Sequence, residues 1–342
     1  MSKILVTGGC GYIGSHTILE LIKNTDYEII SIDNLMNSSM NSLNSIEKLT
    51  KIKIKNYKVD LCDLENTRKV FEDNKDIVGV IHFAALKSVP ESVKNPILYY
   101  NNNNNSLTNI LHCAKEYGVG NVIFSSSCSV YGNVTELPVS EGTPLNKAES
   151  PYGNTKQMGE QILEYFSNVN EINLIALRYF NPVGADISGK IGEDPINPPT
   201  TLLPIITRTA IGIIPELTVF GDDYETKDGT CVRDYVHVSD IADAHIIALN
   251  YLIEGKNKKK YEVFNLGTGD GVTVLDAIEA FEKVSKKKLN YSLGPRREGD
   301  VGAIYSDCSK AIKELGWKAK RDINVMMETA WGWQLKLSKL ED

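Results

Sequence analysis

Thr7-Gly8-Gly9-Cys10-Gly11-Tyr12-Ile13-Gly14 is the stretch that decides the fold of this chain. It follows a short apolar run at 4–6 and opens a segment with helical spacing at 13–22. Its glycines fall at 8, 11 and 14, as G-x-x-G-x-x-G. Glycine permits a tight turn and lets backbone approach a pyrophosphate closely. The helix that follows turns free N–H groups and a partial positive charge toward that anion. Set between strand and helix, the pattern reads as a dinucleotide fingerprint. Asp33 sharpens the reading. It ends the second apolar run, 28–32, about 20 residues beyond Gly14, where a carboxylate hydrogen-bonds a ribose 2′-hydroxyl and repels a 2′-phosphate. The cofactor expected is therefore NAD rather than NADP. Asp60, after the third run at 54–59, reads either as a partner of the adenine amino group or as part of a helix start at 60–63.

Outward from this loop the first half alternates two periods. Apolar runs at 4–6, 28–32, 54–59, 78–83, 122–124 and 173–177 are interleaved with helical spacing at 13–22, 64–71, 97–117 and 152–166. Strand alternating with helix builds βαβ units, whose parallel strands are buried on both faces and so are apolar throughout. The fold class expected is α/β, a doubly wound parallel-sheet Rossmann domain with a smaller α/β substrate-binding domain. The regularity breaks after Tyr179. Residues 181–204, rich in Gly, Pro, Asn and Asp, read as loop. A strand at 235–238 and a helix at 239–252, begun by Ser239 and Asp240, return to the first sheet. A strand at 264–266 and helices at 274–284 and 325–337 complete the chain. The division expected is 1–180, with 234–258 returning to it, against 181–233 and 259–342. The asparagine run at 101–105 reads as compositional bias, without a role for the run as a whole.

Composition narrows the function. Of 342 residues, 42% are hydrophobic and 24% charged, enough for a sizeable core. The formal charge is −7 and the one basic stretch, 256–260, is short, which argues against nucleic acid as a partner. Six cysteines show neither a CxxC pair nor metal-type spacing with histidine, so reduced thiols and no metal are expected. No apolar run approaches the ~20 residues of a membrane span. The first residues lack a secretory pattern, and the expected location is cytoplasmic.

The chemistry gathers in two later segments. Ser125-Ser126-Ser127 follow the fifth strand, where loops at carboxyl ends line the ligand crevice. Tyr152 and Lys156 stand four apart at the start of a helix and share one face. Oxidising a sugar alcohol requires removal of the hydroxyl proton as hydride leaves the same carbon. A free tyrosine, with pKa about 10, is a poor base at neutral pH. A nearby ammonium and a positive nicotinamide ring favour the phenolate. Serine can hold the reacting oxygen and relay its proton, and Lys156 can also hold the nicotinamide ribose.

The strings TGGCGYIGSH, IDNL, FSSSCSVYG, SPYGNTK, LRYFNPVGA, GEDP, RDYVHV and PRREGD extend over nearly the whole chain. Together they make it resemble the extended short-chain dehydrogenase/reductase superfamily and, within it, the nucleotide-sugar 4-epimerases. The resemblance implies one NAD held through turnover and reversible inversion of C4 in UDP-glucose and UDP-galactose through a 4-keto sugar. It implies cofactor contacts at Gly8, Gly11, Tyr12, Ile13, Gly14, Asp33, Asn34, Asn37, Ser38, Asp60, Leu61, Phe83, Ala84, Lys87, Asn102, Lys156 and Phe180. The trio Ser127, Tyr152 and Lys156 would be catalytic. Ser127, Tyr152, Asn181, Leu202, Arg233, Arg297, Asp300 and Ile304 would meet the UDP-hexose. Two arginines suit a diphosphate, which wants planar, bidentate donors. Family members with a bulky aromatic at the position of Ile304 mostly accept plain hexoses, and those with a small residue also accept N-acetylated sugars, so Ile304 implies some acceptance of the latter. The resemblance also implies a homodimer. A related 4,6-dehydratase needs an added acid and base beside the serine, and Cys128 and Ser129 cannot supply that pair. A uronic acid decarboxylase or epimerase stays open, as does a non-catalytic NAD-binding protein, although the latter typically lacks the tyrosine or lysine retained here.

Overall fold

The structure is a computed structural model that describes residues 2–297 and 299–338. The first half runs β1 (Lys3–Thr7), α1 (Tyr12–Asn24), β2 (Glu28–Ile32), α2 (Asn41–Thr50), β3 (Lys55–Tyr57), α3 (Leu64–Glu72), β4 (Ile77–His82), α4 (Val89–Lys94), α5 (Pro96–Glu116), β5 (Asn121–Ser127), α6 (Pro151–Ser167) and β6 (Asn173–Tyr179). Then come β7 (Asn181–Val183), α7 (Leu202–Ala210), β8 (Leu217–Phe220), β9 (Val232–Arg233), β10 (Tyr235–His237), α8 (Val238–Ile253), β11 (Tyr261–Leu266), β12 (Val272–Thr273), α9 (Val274–Ser285), β13 (Tyr291–Gly294), β14 (Ala303–Ile304) and α10 (Ile323–Ser338).

Seven strands form one parallel sheet in the order β11-β6-β5-β4-β1-β2-β3. Side chains alternate across it, as the two-residue period of a strand demands. Ile4, Val6, Ile81, Ile123 and Ile175 enter one core layer with Ile18 and Leu21 of α1 and Ile241 and Leu249 of α8. Leu5, Ile30, Val80, Val122 and Leu174 enter the opposite layer with Phe71 of α3, Leu107 and Ile110 of α5 and Leu163 of α6. Both faces are thus covered, which explains the continuous apolar runs. A third core joins α7, α9 and α10 through Ile206, Ile278, Phe281, Met326 and Met327.

Several expectations need correction. Residues 181–204 are not all loop. Asn181–Val183 pairs in parallel with Tyr235–His237, and Leu202 opens a helix. Helix α8 starts one residue earlier than expected, because the Nδ1 of His237, not Ser239 or Asp240, caps it by accepting from the Ser239 N–H at 3.1 Å. Strand β11 is the edge of the large sheet, so the return to that sheet runs past residue 258. Its sequence, Tyr-Glu-Val-Phe-Asn-Leu, interrupts the apolar run with Glu262, so the strand starts three residues before the expected 264–266. Within the asparagine run, Asn103 is buried. Its Nδ2 donates to the Leu86 carbonyl and to Thr155 Oγ1, both at 3.0 Å, while its Oδ1 accepts from the Leu86 N–H at 2.8 Å. No helix among the described residues is long and apolar enough to cross a membrane.

Four histidines are buried in these layers. Burial lowers the pKa of His82 and His237 to about 3 and of His245 to about 4, with Lys156 adding to the effect at His82, and Arg321 and His16 at His237; His16 is lowered as well. Each binds its proton more readily in the unfolded chain, near pH 6.5. Their contribution to stability is therefore complete above that pH and is lost as pH falls toward the folded values. The urea midpoint is expected to hold above pH 7 and to drop steadily between about pH 6.5 and 4; a midpoint flat over that window would mean these rings are not buried as neutral groups.

Candidate active site

The carboxyl ends of β1, β2, β4, β5 and β6 open into one cleft of about 1440 Å³. The strand order reverses between β1 and β4, the switch point at which such sheets bind ligands. Its floor is the glycine loop. Gly8 has φ +68°, and a side chain there would strike the Ala84 backbone N at 2.9 Å. A side chain at Gly14 would come within 2.2 Å of the Gly8 carbonyl oxygen, so only glycine lets α1 start this close to the turn. Gly11 caps α1 with no side-chain hydrogen bond, leaving the helix dipole directed into the cleft. Gly14→Ala is expected to weaken dinucleotide binding by about 10- to 100-fold through this overlap. Fluorescence titration with NAD reads this directly, and unchanged affinity would show that the turn relaxes freely.

Asp33 lines the cleft beside the glycine loop. It is 8% exposed. Its Oδ2 accepts from the Cys10 N–H at 3.0 Å, and its Oδ1 from the Leu35 N–H at 2.9 Å and Ser38 Oγ at 2.7 Å. An ionised carboxylate has about four lone-pair sites. Three are used within the chain, which locks the group in place and leaves one for a ribose hydroxyl. Asp60 lines the cleft with Leu61 and accepts from the Cys62 N–H at 2.9 Å. The helix-start role belongs to Asp63, which caps α3.

The residues expected to react lie where β5 meets α6. Ser150 caps α6 by accepting from the Gly153 N–H at 3.1 Å, and Pro151 opens the helix. Tyr152 and Lys156 then face the cleft together, with Lys156 Nζ 5.9 Å from the Tyr152 ring centre and 4.8 Å from that of Phe124. Lys156 Nζ donates to the Ser125 carbonyl at 2.6 Å. Burial drags its pKa down to about 7 against the pull of Glu160. Burial also pushes the Tyr152 phenol up to about 12, with the Ser127 hydroxyl working against it. Desolvation thus penalises both charges, which weakens the ammonium's share of the two positive charges expected to favour the phenolate. Further positive charge beside Tyr152 is needed to draw the phenol down.

The family model described as NAD dependent epimerase/dehydratase matches residues 4–267.

The chain belongs to the NAD dependent epimerase/dehydratase family.

This epimerase/dehydratase chain is 47% identical over 332 residues to a UDP-glucose 4-epimerase of Bacillus subtilis, covering 97% of this chain and 96% of that relative. It is 46% identical over 338 residues to a UDP-glucose 4-epimerase of Drosophila melanogaster, covering 97% and 96%. Among solved structures, UDP-glucose 4-epimerase from Bifidobacterium longum in complex with NAD+ and UDP superposes with TM-score 0.93 at 45% identity, covering 98% of each chain. A UDP-Glc/GlcNAc 4-epimerase from Campylobacter jejuni superposes with TM-score 0.83 at 39% identity, covering 98% of this chain and 100% of that one.

Within this family member, the residues expected at the cofactor and the catalytic trio all line the one cleft, from Gly8 through Asn34, Asn37 and Lys87 to Asn102 and Phe180. Lys87 pairs with Glu193 across it at 3.1 Å. Of the residues expected at the UDP-hexose, Ser127 and Tyr152 line that cleft, and Asn181, Leu202, Arg233, Arg297, Asp300 and Ile304 do not. Arg297 engages Asp300 through Nε at 3.1 Å and Nη2 at 3.0 Å, with Arg233 Nη2 3.9 Å from the same carboxylate. The two arginines therefore converge, with one shared counter-ion. Arg297 Nη1 also donates at 3.4 Å to the carbonyl of Thr200, a cleft residue. Leu202 starts α7 next to Thr201, and the Asn181 Oδ1 is buried without a partner. Ile304 is 4% exposed and packs with Tyr131, Val139 and Phe180, one layer behind the wall.

Several supporting groups escaped the sequence reading. Thr7 Oγ1 accepts from the Ala84 N–H at 3.2 Å and shares a hydrogen bond with His82 Nδ1 at 2.8 Å, fixing the cleft wall. Asn103 ties Leu86 to Thr155 on the catalytic helix. The signal for Asn103 was present: Tyr99, Asn103, Ser106, Leu107 and Ile110 form one buried stripe at helical spacing.

Proposed function

We infer that this chain interconverts UDP-glucose and UDP-galactose by inverting C4, with NAD as resident cofactor. The observation that carries the reading is the meeting of Ser127, Tyr152 and Lys156 in the same cleft as the glycine turn and Asp33, in a chain matched along nearly its whole length by UDP-glucose 4-epimerases. The residues fit NAD: the turn has room only for glycine, the α1 terminus would face the pyrophosphate, and Asp33 keeps one acceptor that would serve the ribose. NAD, when bound, supplies reversible acceptance of hydride from C4 and a positive ring charge. Tyr152 would then be ionised enough near neutral pH to take the C4 hydroxyl proton and later return it. Ser127 holds the reacting oxygen. Lys156, pinned by the Ser125 carbonyl, holds the nicotinamide ribose and supports the phenolate. Arg233 and Arg297 anchor the diphosphate while the hexose turns over about its linkage, with Asn181, Leu202 and Asp300 around the nucleotide. The large-sheet lobe carries the cofactor, and the lobe built from α7, α9 and α10 carries the nucleotide sugar. The enzyme works as a homodimer, a reading supported by the exposed Ile97, Leu98 and Tyr165 on α5 and α6 and testable by sedimentation.

Incubation of purified protein with UDP-galactose and no added cofactor, followed by separation of the products, tests the reading. UDP-glucose and a dinucleotide released on denaturation are expected; absence of both, persisting after NAD is supplied, would refute it. Ile304 is aliphatic and set behind Phe180, so the hexose pocket is less filled than with an aromatic ring there. UDP-N-acetylgalactosamine is expected to be turned over more slowly than UDP-galactose, and a rate no higher than background would remove this extension.

A further inference from the structure

Ser127 Oγ has two protein donors. The Ser129 N–H donates to it at 3.2 Å and Ser129 Oγ donates to it at 3.0 Å. A serine hydroxyl offers two acceptor lone pairs and one proton. Both acceptor positions are taken by a single residue, and only the proton is left for the cleft. The turn that carries Ser129, Cys128–Tyr131, is itself clamped to the catalytic helix, where Gln157 Nε2 donates to the Val130 carbonyl at 2.7 Å and to the Asn146 carbonyl at 2.6 Å.

We propose that Ser129 is a positioning residue that fixes the polarity of Ser127, making its hydroxyl a donor only, so that the C4 hydroxyl proton passes directly to Tyr152 rather than through Ser127. This rests on the epimerase reading above and deepens it. A serine relay must accept a proton from the sugar oxygen as it gives its own to the phenolate. Ser127 with both lone pairs engaged cannot accept, and its proton stays in place throughout. It donates instead to whichever oxygen carries negative charge, first the phenolate of Tyr152 and then the oxygen at C4. In both positions the donation favours the charged form. The outward transfer breaks the O–H bond of the sugar and forms that of Tyr152, the return transfer does the reverse, and no further acid or base is needed.

The other groups around Tyr152 do not substitute for this donor. Lys156 and Glu160 lie on its own helix, with Lys156 turned toward the Ser125 carbonyl. Cys128, on the turn, is held neutral by burial, with Arg233 and Asp234 beyond it acting in opposite senses. Tyr179 on β6 shares its hydroxyl with Ser125 Oγ and is likewise kept neutral by burial. His82 on β4 is neutral and bonded to Thr7.

The test compares Ser129→Ala and Ser129→Thr with the unaltered holoenzyme on UDP-galactose across pH. Ser129→Ala frees one lone pair of Ser127, so the hydroxyl no longer has a fixed direction. kcat is expected to fall by about tenfold, the worth of one ordinary hydrogen bond. KM and bound NAD are expected to stay unchanged, and the acidic limb of the kcat profile to move to higher pH. Ser129→Thr keeps the hydroxyl and is expected to restore both the rate and the limb. Ser129→Ala with an unmoved limb overturns the proposal, whether the rate is intact or lowered, as does a threonine variant no better than the alanine one. An unaltered enzyme inactive on UDP-galactose would instead sink the epimerase reading.

Discussion

Tyr152→Phe is expected to lower kcat on UDP-galactose by about a thousandfold, the usual worth of a positioned general base, while the purified variant keeps its bound NAD. The ring stays and only the hydroxyl leaves, so the packing against Lys156 and the cleft wall is preserved. The hydroxyl is half of the chemistry: Tyr179, which also lines the cleft, is engaged by Ser125 Oγ and kept neutral by burial. Lys156 is held by the Ser125 carbonyl and the neighbouring Cys128 thiol is pushed up to about 12 by burial. Stopped assays with UDP-galactose, together with the absorbance of the extracted dinucleotide, read both quantities. Turnover within a few-fold of the unaltered protein would remove Tyr152 as the base.

Arg178→Leu should cost about 3–5 kcal/mol of stability, because it leaves a buried carboxylate without its counter-charge. Arg178 meets Glu160 through Nε at 2.8 Å and Nη2 at 2.5 Å, with the side chains 5% and 6% exposed. Ser126 Oγ donates to the same carboxylate at 2.5 Å, and Arg178 Nη1 reaches Tyr131 Oη at 3.1 Å. The pair thus joins β5, β6, α6 and the turn after β5 directly behind the catalytic face. Glu160 lies one helical turn from Lys156 and helps keep that amine protonated, so loss of Arg178 should also change the pH dependence of turnover. Equilibrium urea unfolding measures the effect. The double variant Arg178→Leu/Glu160→Leu should recover most of the loss, since replacing both charges with apolar groups leaves no charge unpaired. A single variant costing under about 1 kcal/mol would mean the pair behaves as an exposed one.

The relation between sequence and site is uneven, and the reasons are physical. Local signals were legible because they act over a few residues. The glycine spacing, the strand-end Asp33 and the Tyr152/Lys156 pair follow from the turn, strand and helix periods. They proved to share one cleft because a parallel sheet places all its carboxyl ends on one side. Non-local partners were hidden. That β7 pairs with β10, that β11 finishes the large sheet and that His237 caps α8 depend on segments far apart in the chain or on an unusual capping group. Asn103 shows both sides: its buried stripe was visible in the spacing, but not its partners at Leu86 and Thr155.

The sequence alone determined the layered fold, the preference for NAD and the set of groups proposed to react, because each is read from residue type and spacing along one or two elements. Only the tertiary structure decided the electrostatics: burial raises Tyr152 to about 12 and lowers Lys156 to about 7, and desolvation depends on what is packed around a group rather than on its neighbours in the chain. The direction of the Ser127 hydroxyl belongs with them, since it follows from how a turn folds back on itself.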